Sequence, residues 1–123
     1  MMLQDFYKII EHRKSDKNEF VVVIELNKDH SVFEGHFPGN PVTPGVCMIQ
    51  ILKEITEEFA ASTLLLERIS NVKFTALINP FITPILHLKM EITTEGEFVK
   101  IKNISTFEDG TIALKCNGTF VKK

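Results

Sequence analysis

His36 lies in the segment Glu34-Gly35-His36-Phe37-Pro38-Gly39-Asn40-Pro41-Val42-Thr43-Pro44-Gly45-Val46. A histidine held between two glycines in so constrained a stretch keeps a fixed direction. Its imidazole titrates near neutrality, which suits proton transfer. Nine residues on, Gly45 falls at the second position of an expected helix. Its N–H is there one of the unpaired donors at the positive helix end. Such a donor can hold a carbonyl oxygen that is gaining negative charge. A base and an oxyanion donor on one frame are what removal of a proton beside a thioester carbonyl needs. The ordinary alternative stays open at this point: a lone loop histidine is more often structural, and a Pro/Gly-rich turn before a helix is common.

The elements that must position these groups can be read outward from the loop. The segment holds three of the chain's six glycines and three of its five prolines, so it cannot be a regular element. A helix is expected as the loop ends, with Thr43 as N-cap and Pro44 at the first helical position. It should run to about Leu65. Met48, Ile51, Leu52, Ile55 and Phe59 cluster on one side of its wheel, and Gln50, Lys53, Glu54, Glu57 and Glu58 on the other.

Strands flank the helix. Residues 4–14 read as a first strand, or as a short helix followed by one, and Ser15 to Asn18 as a turn. Glu19 to Leu26 is rich in β-branched residues, with Phe20, Val22, Ile24 and Leu26 on one face. Ile69 to Leu77 is the next strand, followed by a Pro80–Pro84 corner. Pro84 to Thr93 alternates, with Leu86, Leu88, Met90 and Ile92 opposite His87, Lys89 and Glu91. Phe98 to Phe107 and Thr111 to Val121 form a hairpin around Glu108-Asp109-Gly110. Ile112, Leu114, Cys116, Gly118 and Phe120 share a face. One long helix with an antiparallel sheet of five or six strands is an α+β pattern.

Composition narrows the function classes. The chain has 123 residues, which suits a single domain over 1–123. A formal charge of −2 argues against a nucleic-acid binder. No apolar run is long enough to span a membrane, and Met1 to Ile10 lacks the pattern of a signal peptide. Cys47 and Cys116 are far apart and read as reduced, partly buried thiols of a cytoplasmic protein. His12 reads as solvated, His30 as a strand-end residue and His87 as part of a polar strand face. None has a partner at metal-ligand spacing, so no metal is expected. The loop glycines form no phosphate-binding motif.

The string Gly35-His36-Phe37-Pro38-Gly39-Asn40-Pro41-Val42-Thr43-Pro44-Gly45-Val46 resembles the signature of the 3-hydroxyacyl-(acyl carrier protein) dehydratases, hotdog-fold enzymes of type II fatty acid synthesis. Asn71-Val72-Lys73-Phe74 resembles the family's strand after the helix. The order of elements agrees over nearly the whole chain. The resemblance implies a hotdog fold, a sheet wrapped around one long central helix, and dehydration of a 3-hydroxyacyl thioester to the trans-2-enoyl thioester. It implies that His36 removes the α-proton, that Gly45 donates its N–H to the thioester carbonyl, and that the Val42 carbonyl orients the imidazole. Phe37 and Val46 join Gly45 and Val42 as substrate-binding residues. A strained or cis peptide near His36-Phe37-Pro38 would fit such a loop. No cofactor is implied beyond the phosphopantetheine that carries the substrate. The implied partners are an acyl carrier protein and a second copy of the chain, in a homodimer with sites at the interface or a trimer of such dimers. Lys73, Lys100, Lys102, Lys122 and Lys123 could dock an acidic carrier, though a solvated strand face accounts for them equally.

One departure from the family pattern stands out. The family places an acid on the helix where this chain has Gln50, and an amide cannot release a proton at useful pH. Glu54 lies one turn on, about 6 Å along the axis and ~40° around it. Glutamine is common in the family at that second position, so the two residue types look exchanged. Three readings follow. Glu54 supplies the acid while Gln50 positions the substrate hydroxyl; or His36 makes every proton transfer and Gln50 orients the leaving group; or the site binds acyl chains without dehydrating them. For Glu54 alone, a solvated helix-face glutamate is the plain alternative. The rivals to a dehydratase are a hotdog thioesterase and a non-catalytic acyl-binding partner.

Overall fold

The computed structural model describes residues 5–33 and 41–123. His36, Phe37 and the peptide bonds expected to be strained or cis therefore lie outside the described residues.

The first element is a plain strand, β1 (Tyr7–Asp16), with no helix among the described residues before it. It turns at Lys17 and Asn18 into β2 (Glu19–Leu26). A short 3-10 turn, Ser31–Phe33, closes the first described stretch. The helix α1 (Gly45–Ala60) follows, then β3 (Leu64–Phe74), β4 (Ile85–Glu95), β5 (Phe98–Phe107) and β6 (Ile112–Lys122). The strands form one six-stranded sheet in the order β1-β2-β4-β5-β6-β3. Every neighbouring pair is antiparallel. Between β2 and β4 the chain passes through α1 to the far edge of the sheet, lays down β3 there, and returns.

Alternation along the inner strands explains why they pair. Val22, Ile24 and Leu26, then Leu86, Leu88, Met90 and Ile92, then Leu114, Cys116 and Phe120 all turn into one core. Met48, Ile51, Leu52 and Ile55 of α1 enter the same core. Each such side chain is worth about 1.5–3 kcal/mol of transfer free energy when fully buried. The sheet and the helix therefore hold each other. Cys47 and Cys116 are free and fully buried rather than partly so. Burial pushes the thiol of Cys116 up to about 11 and raises that of Cys47.

Three element boundaries differ from the sequence reading. The helix ends at Ala60 rather than near Leu65, and β3 starts at Leu64 rather than Ile69 and stops at Phe74 rather than Leu77. The apolar run Leu64-Leu65-Leu66 continues the helical pattern on paper, but Ala61 adopts a left-handed conformation at φ 52°. The N–H of Ser62 then closes on the Glu57 carbonyl at 3.2 Å and that of Ala61 on Glu58 at 3.4 Å. This is the double closure of a Schellman cap. Glu57 completes the stop. It lies on the polar side of the wheel, yet its Oε2 accepts the Leu64 N–H at 2.9 Å and lies 3.7 Å from Lys53 Nζ. The side chain so pins the start of β3 to α1.

Alanine in the left-handed region is strained by roughly 1–2 kcal/mol. Ala61→Gly should stabilise the chain by about 0.5–1 kcal/mol, because relief of that strain exceeds the extra flexibility of the unfolded glycine. Urea unfolding of the two proteins checks this; an unchanged or lower midpoint would show that the cap is not strained.

Candidate active site

The site is built around the first half of α1. Its N-cap is Pro44, not Thr43, with φ −62° and ψ 144° and no side-chain cap bond. The Pro44 carbonyl accepts the N–H of Cys47 at 3.0 Å and of Met48 at 3.3 Å. Gly45 is thus the first helical residue, one position earlier than expected. Its N–H and that of Val46 have no acceptor inside the helix. Thr43 does something else: its N–H donates to the Ile78 carbonyl at 2.8 Å, tying the loop to the segment after β3. Its hydroxyl is buried and has no hydrogen-bond partner among the described residues. Val42 is half-buried and Val46 is exposed.

Glycine at 45 has a steric reason. A Cβ built there would stand 2.9 Å from Cζ of Phe74 and 3.1 Å from its Cε2. The Phe74 ring, at the end of β3, therefore lies directly over the helix N-terminus. Sequence reading placed Gly45 and Phe74 in separate pieces of the family pattern; the fold brings them into contact.

The second feature is a hydrogen-bonded row across the helix surface. Gln50 Nε2 donates to Glu54 Oε2 at 3.0 Å, and the Tyr7 hydroxyl donates to Glu54 Oε1 at 3.0 Å. Glu54 is therefore a partly buried carboxylate with a donor on each oxygen, and not the solvated glutamate of the plain alternative. A carboxylate only accepts, so it selects the nitrogen of Gln50 and leaves the amide oxygen and one N–H to face other groups. Burial raises the Tyr7 hydroxyl well above the ordinary phenol range, and the charge and hydrogen bond of Glu54 and the charge of Glu58 raise it further. The phenol therefore stays a neutral donor.

Tyr7 was missed from the sequence. It is the chain's one tyrosine, but it precedes Glu54 by 47 positions and no local spacing links them. It also lines an open cleft of about 490 Å³, shared with Leu26, Lys28, Phe81 and Pro84.

Two of the other histidines play packing roles. His12 is not simply solvated: its ring meets Phe59 edge-on at 6.1 Å. His30 lies in the turn after β2, where its Nδ1 accepts the Val32 N–H at 3.1 Å and its ring meets Phe6 at 5.2 Å. Among the described residues no group of three or more His, Cys, Asp or Glu is placed to hold a metal ion. No helix among them is long and apolar enough to cross a membrane.

A model of the ApeI-like family, described as ApeI dehydratase, matches residues 12–110. The chain belongs to this family. The matched span takes in the loop, Gly45, Gln50, Glu54 and Phe74, and begins after Tyr7. The chain is similar to the 3-hydroxyacyl-(acyl-carrier-protein) dehydratase FabZ of Lactiplantibacillus plantarum, 38% identical over 77 residues, 57% of this chain and 52% of that protein. It is also similar to FabZ of Enterococcus faecalis, 30% identical over 112 residues, 85% of this chain and 76% of that protein. The match thus spans about half the length of the first of these relatives. Among solved structures, the dehydratase heterocomplex ApeI:P from Xenorhabdus doucetiae superposes with a TM-score of 0.75. The overlap covers 94% of this chain and 97% of that one, at 20% identity. The fold is the hotdog fold.

In this ApeI-like chain the contact between Gly45 and Phe74 sets a limit on the helix N-terminus. Gly45→Ala should destabilise by about 1 kcal/mol, at the low end for overpacking because the ring is half-exposed and can swing. In a Phe74→Ala background the same change should cost nothing. A double-mutant cycle by thermal unfolding measures it; additive effects would mean that the ring does not set the limit.

Proposed function

We propose that this chain, read as one domain over 1–123, dehydrates 3-hydroxyacyl thioesters on an acyl carrier protein to trans-2-enoyl thioesters, in fatty acid or related polyene synthesis. One observation carries the reading: the 3.0 Å bond from Gln50 Nε2 to Glu54 Oε2. In a chain of the ApeI-like dehydratase family it puts a carboxylate in contact with the amide that stands at the usual acid position.

His36 takes the proton from C2, and the electrons move onto the thioester oxygen, held by the N–H of Gly45. Val42 accepts from the imidazole and fixes its tautomer, and Phe37 and Val46 contact the acyl thioester. The C2=C3 double bond forms as the C3–O bond breaks. The hydroxyl, oriented by Gln50, leaves as water with a proton from the acid form of Glu54, and the proton that His36 took then returns to Glu54 to close the cycle. One proton is taken up and one returned, with no net oxidation, so the reaction calls for no redox cofactor. Both oxygens of Glu54 already accept a hydrogen bond, which supports an orienting role over activation of water for thioester hydrolysis.

The assembly follows from β3. This edge strand exposes Leu65, Leu66, Val72 and Phe74, and an apolar edge invites strand pairing. Pairing with a second copy would cover it, in a homodimer that shares its sites. Two free, buried thiols support a cytoplasmic setting.

A 3-hydroxyacyl carrier substrate tests the reading. The wild type should release enoyl product. His36→Ala and Glu54→Gln should each slow it by about 10²–10⁴-fold, the usual scale for loss of a general acid or base. An inactive wild type beside an active Gln50→Glu would overturn the proposal for the natural protein. A Glu54→Gln variant at full rate would remove Glu54 from the proton path.

A further inference from the structure

We propose that Tyr7 is a positioning residue of the site, acting through Glu54 to fix the direction of Gln50. The inference rests on the dehydratase reading and extends it to a residue that lies before the family's matched span.

The geometry is directional. The phenol has one proton to give, and it goes to Glu54 Oε1. Glu54 Oε2 accepts from the Gln50 amide. A carboxylate on a helix surface ordinarily turns about its last torsion, and with it any amide it holds. A second donor, from a strand instead of the helix, removes that freedom. Tyr7 supplies it from the start of β1. The phenyl ring is packed against the core, so its hydroxyl is itself held in place. The result is a row in which strand fixes carboxylate and carboxylate fixes amide. The amide oxygen and the remaining N–H of Gln50 then keep one orientation toward the substrate hydroxyl. An amide that could flip would present donor and acceptor interchangeably and lose part of the orienting effect.

Solvation favours the same role. Burial and the charge of Glu54 both keep the phenol protonated, so Tyr7 donates throughout the working pH range and does not carry protons itself. The charge of Glu58, on the next turn, acts in the same direction.

The test uses Tyr7→Phe, which removes one oxygen and keeps the ring. It should lower kcat by about tenfold, the scale of one hydrogen bond to a charged group, with KM unchanged. In a Glu54→Gln background the same substitution should add nothing. A purely structural tyrosine would slow both backgrounds alike, and that result would overturn the proposal. So would a Tyr7→Phe enzyme as fast as an active wild type. A wild type that forms no enoyl product would instead overturn the dehydratase reading beneath it. A second readout needs no turnover. The chain has one tyrosine and no tryptophan, so tyrosinate absorbance reports Tyr7 alone. Its rise should come at lower pH in Glu54→Gln than in the wild type, because the carboxylate charge is gone. Identical curves would show that the Tyr7–Glu54 bond does not form, and the proposal would fail.

Discussion

The structure depends on burying one stripe of one helix. Met48, Ile51, Leu52 and Ile55 have to leave water, and the inner faces of the strands supply the surface that receives them. Once that stripe is turned inward, the rest of α1 has no rotational freedom. Successive residues are set about 100° apart, so Gln50 and Glu54 must come out on the flank beside Ile51 and Ile55. The chemistry is therefore placed by packing. The core fixes the helix, the helix fixes the row of polar groups, and the row meets whatever the sheet brings to that flank.

Both ends of the helix are set by contacts with the sheet's edge strand. At the start, the end of β3 lays Phe74 over Gly45, and the chain beyond it holds Thr43 through the Ile78 carbonyl. At the finish, Glu57 holds the first N–H of β3. The β3 strand thus clamps α1 at both termini while Leu65, Leu66 and Val72 stay exposed along it. A strand so placed joins the helix N-terminus to any surface that pairs with the sheet edge. In the proposed dimer, assembly and site geometry would be coupled through it.

The proposed site rests on the pair Gln50 and Glu54. Position 50 holds an amide and position 54 a carboxylate, one helical turn apart, and a hydrogen bond unites them. Exchange of the two side chains keeps one acid and one amide on the same flank. What changes is which group stands nearer the helix N-terminus. The carboxylate at position 54 has a second partner on β1, the hydroxyl of Tyr7.

Much of this protein was legible in its residues. Alternation fixed the faces of β2, β4 and β6, because a pleated strand exposes every second side chain to the core whatever lies across from it. The 3.6-residue rhythm fixed the buried stripe of α1 for the same local reason. The dense string from Gly35 to Val46 disclosed the family and the hotdog fold. The end of the helix was not legible: Leu64 and Leu65 continue an apolar rhythm that either a helix or a strand can use, and the stop came from a left-handed Ala61 and the reach of Glu57. Nor was the N-cap, since Thr43 has the right side chain for it yet is drawn away by Ile78. The contact of Phe74 with Gly45 and the bond from Tyr7 to Glu54 were beyond any reading of the string. They join residues far apart in sequence, and only the strand order, which carries β3 to one edge and β1 to the other, decides which distant side chains meet the helix.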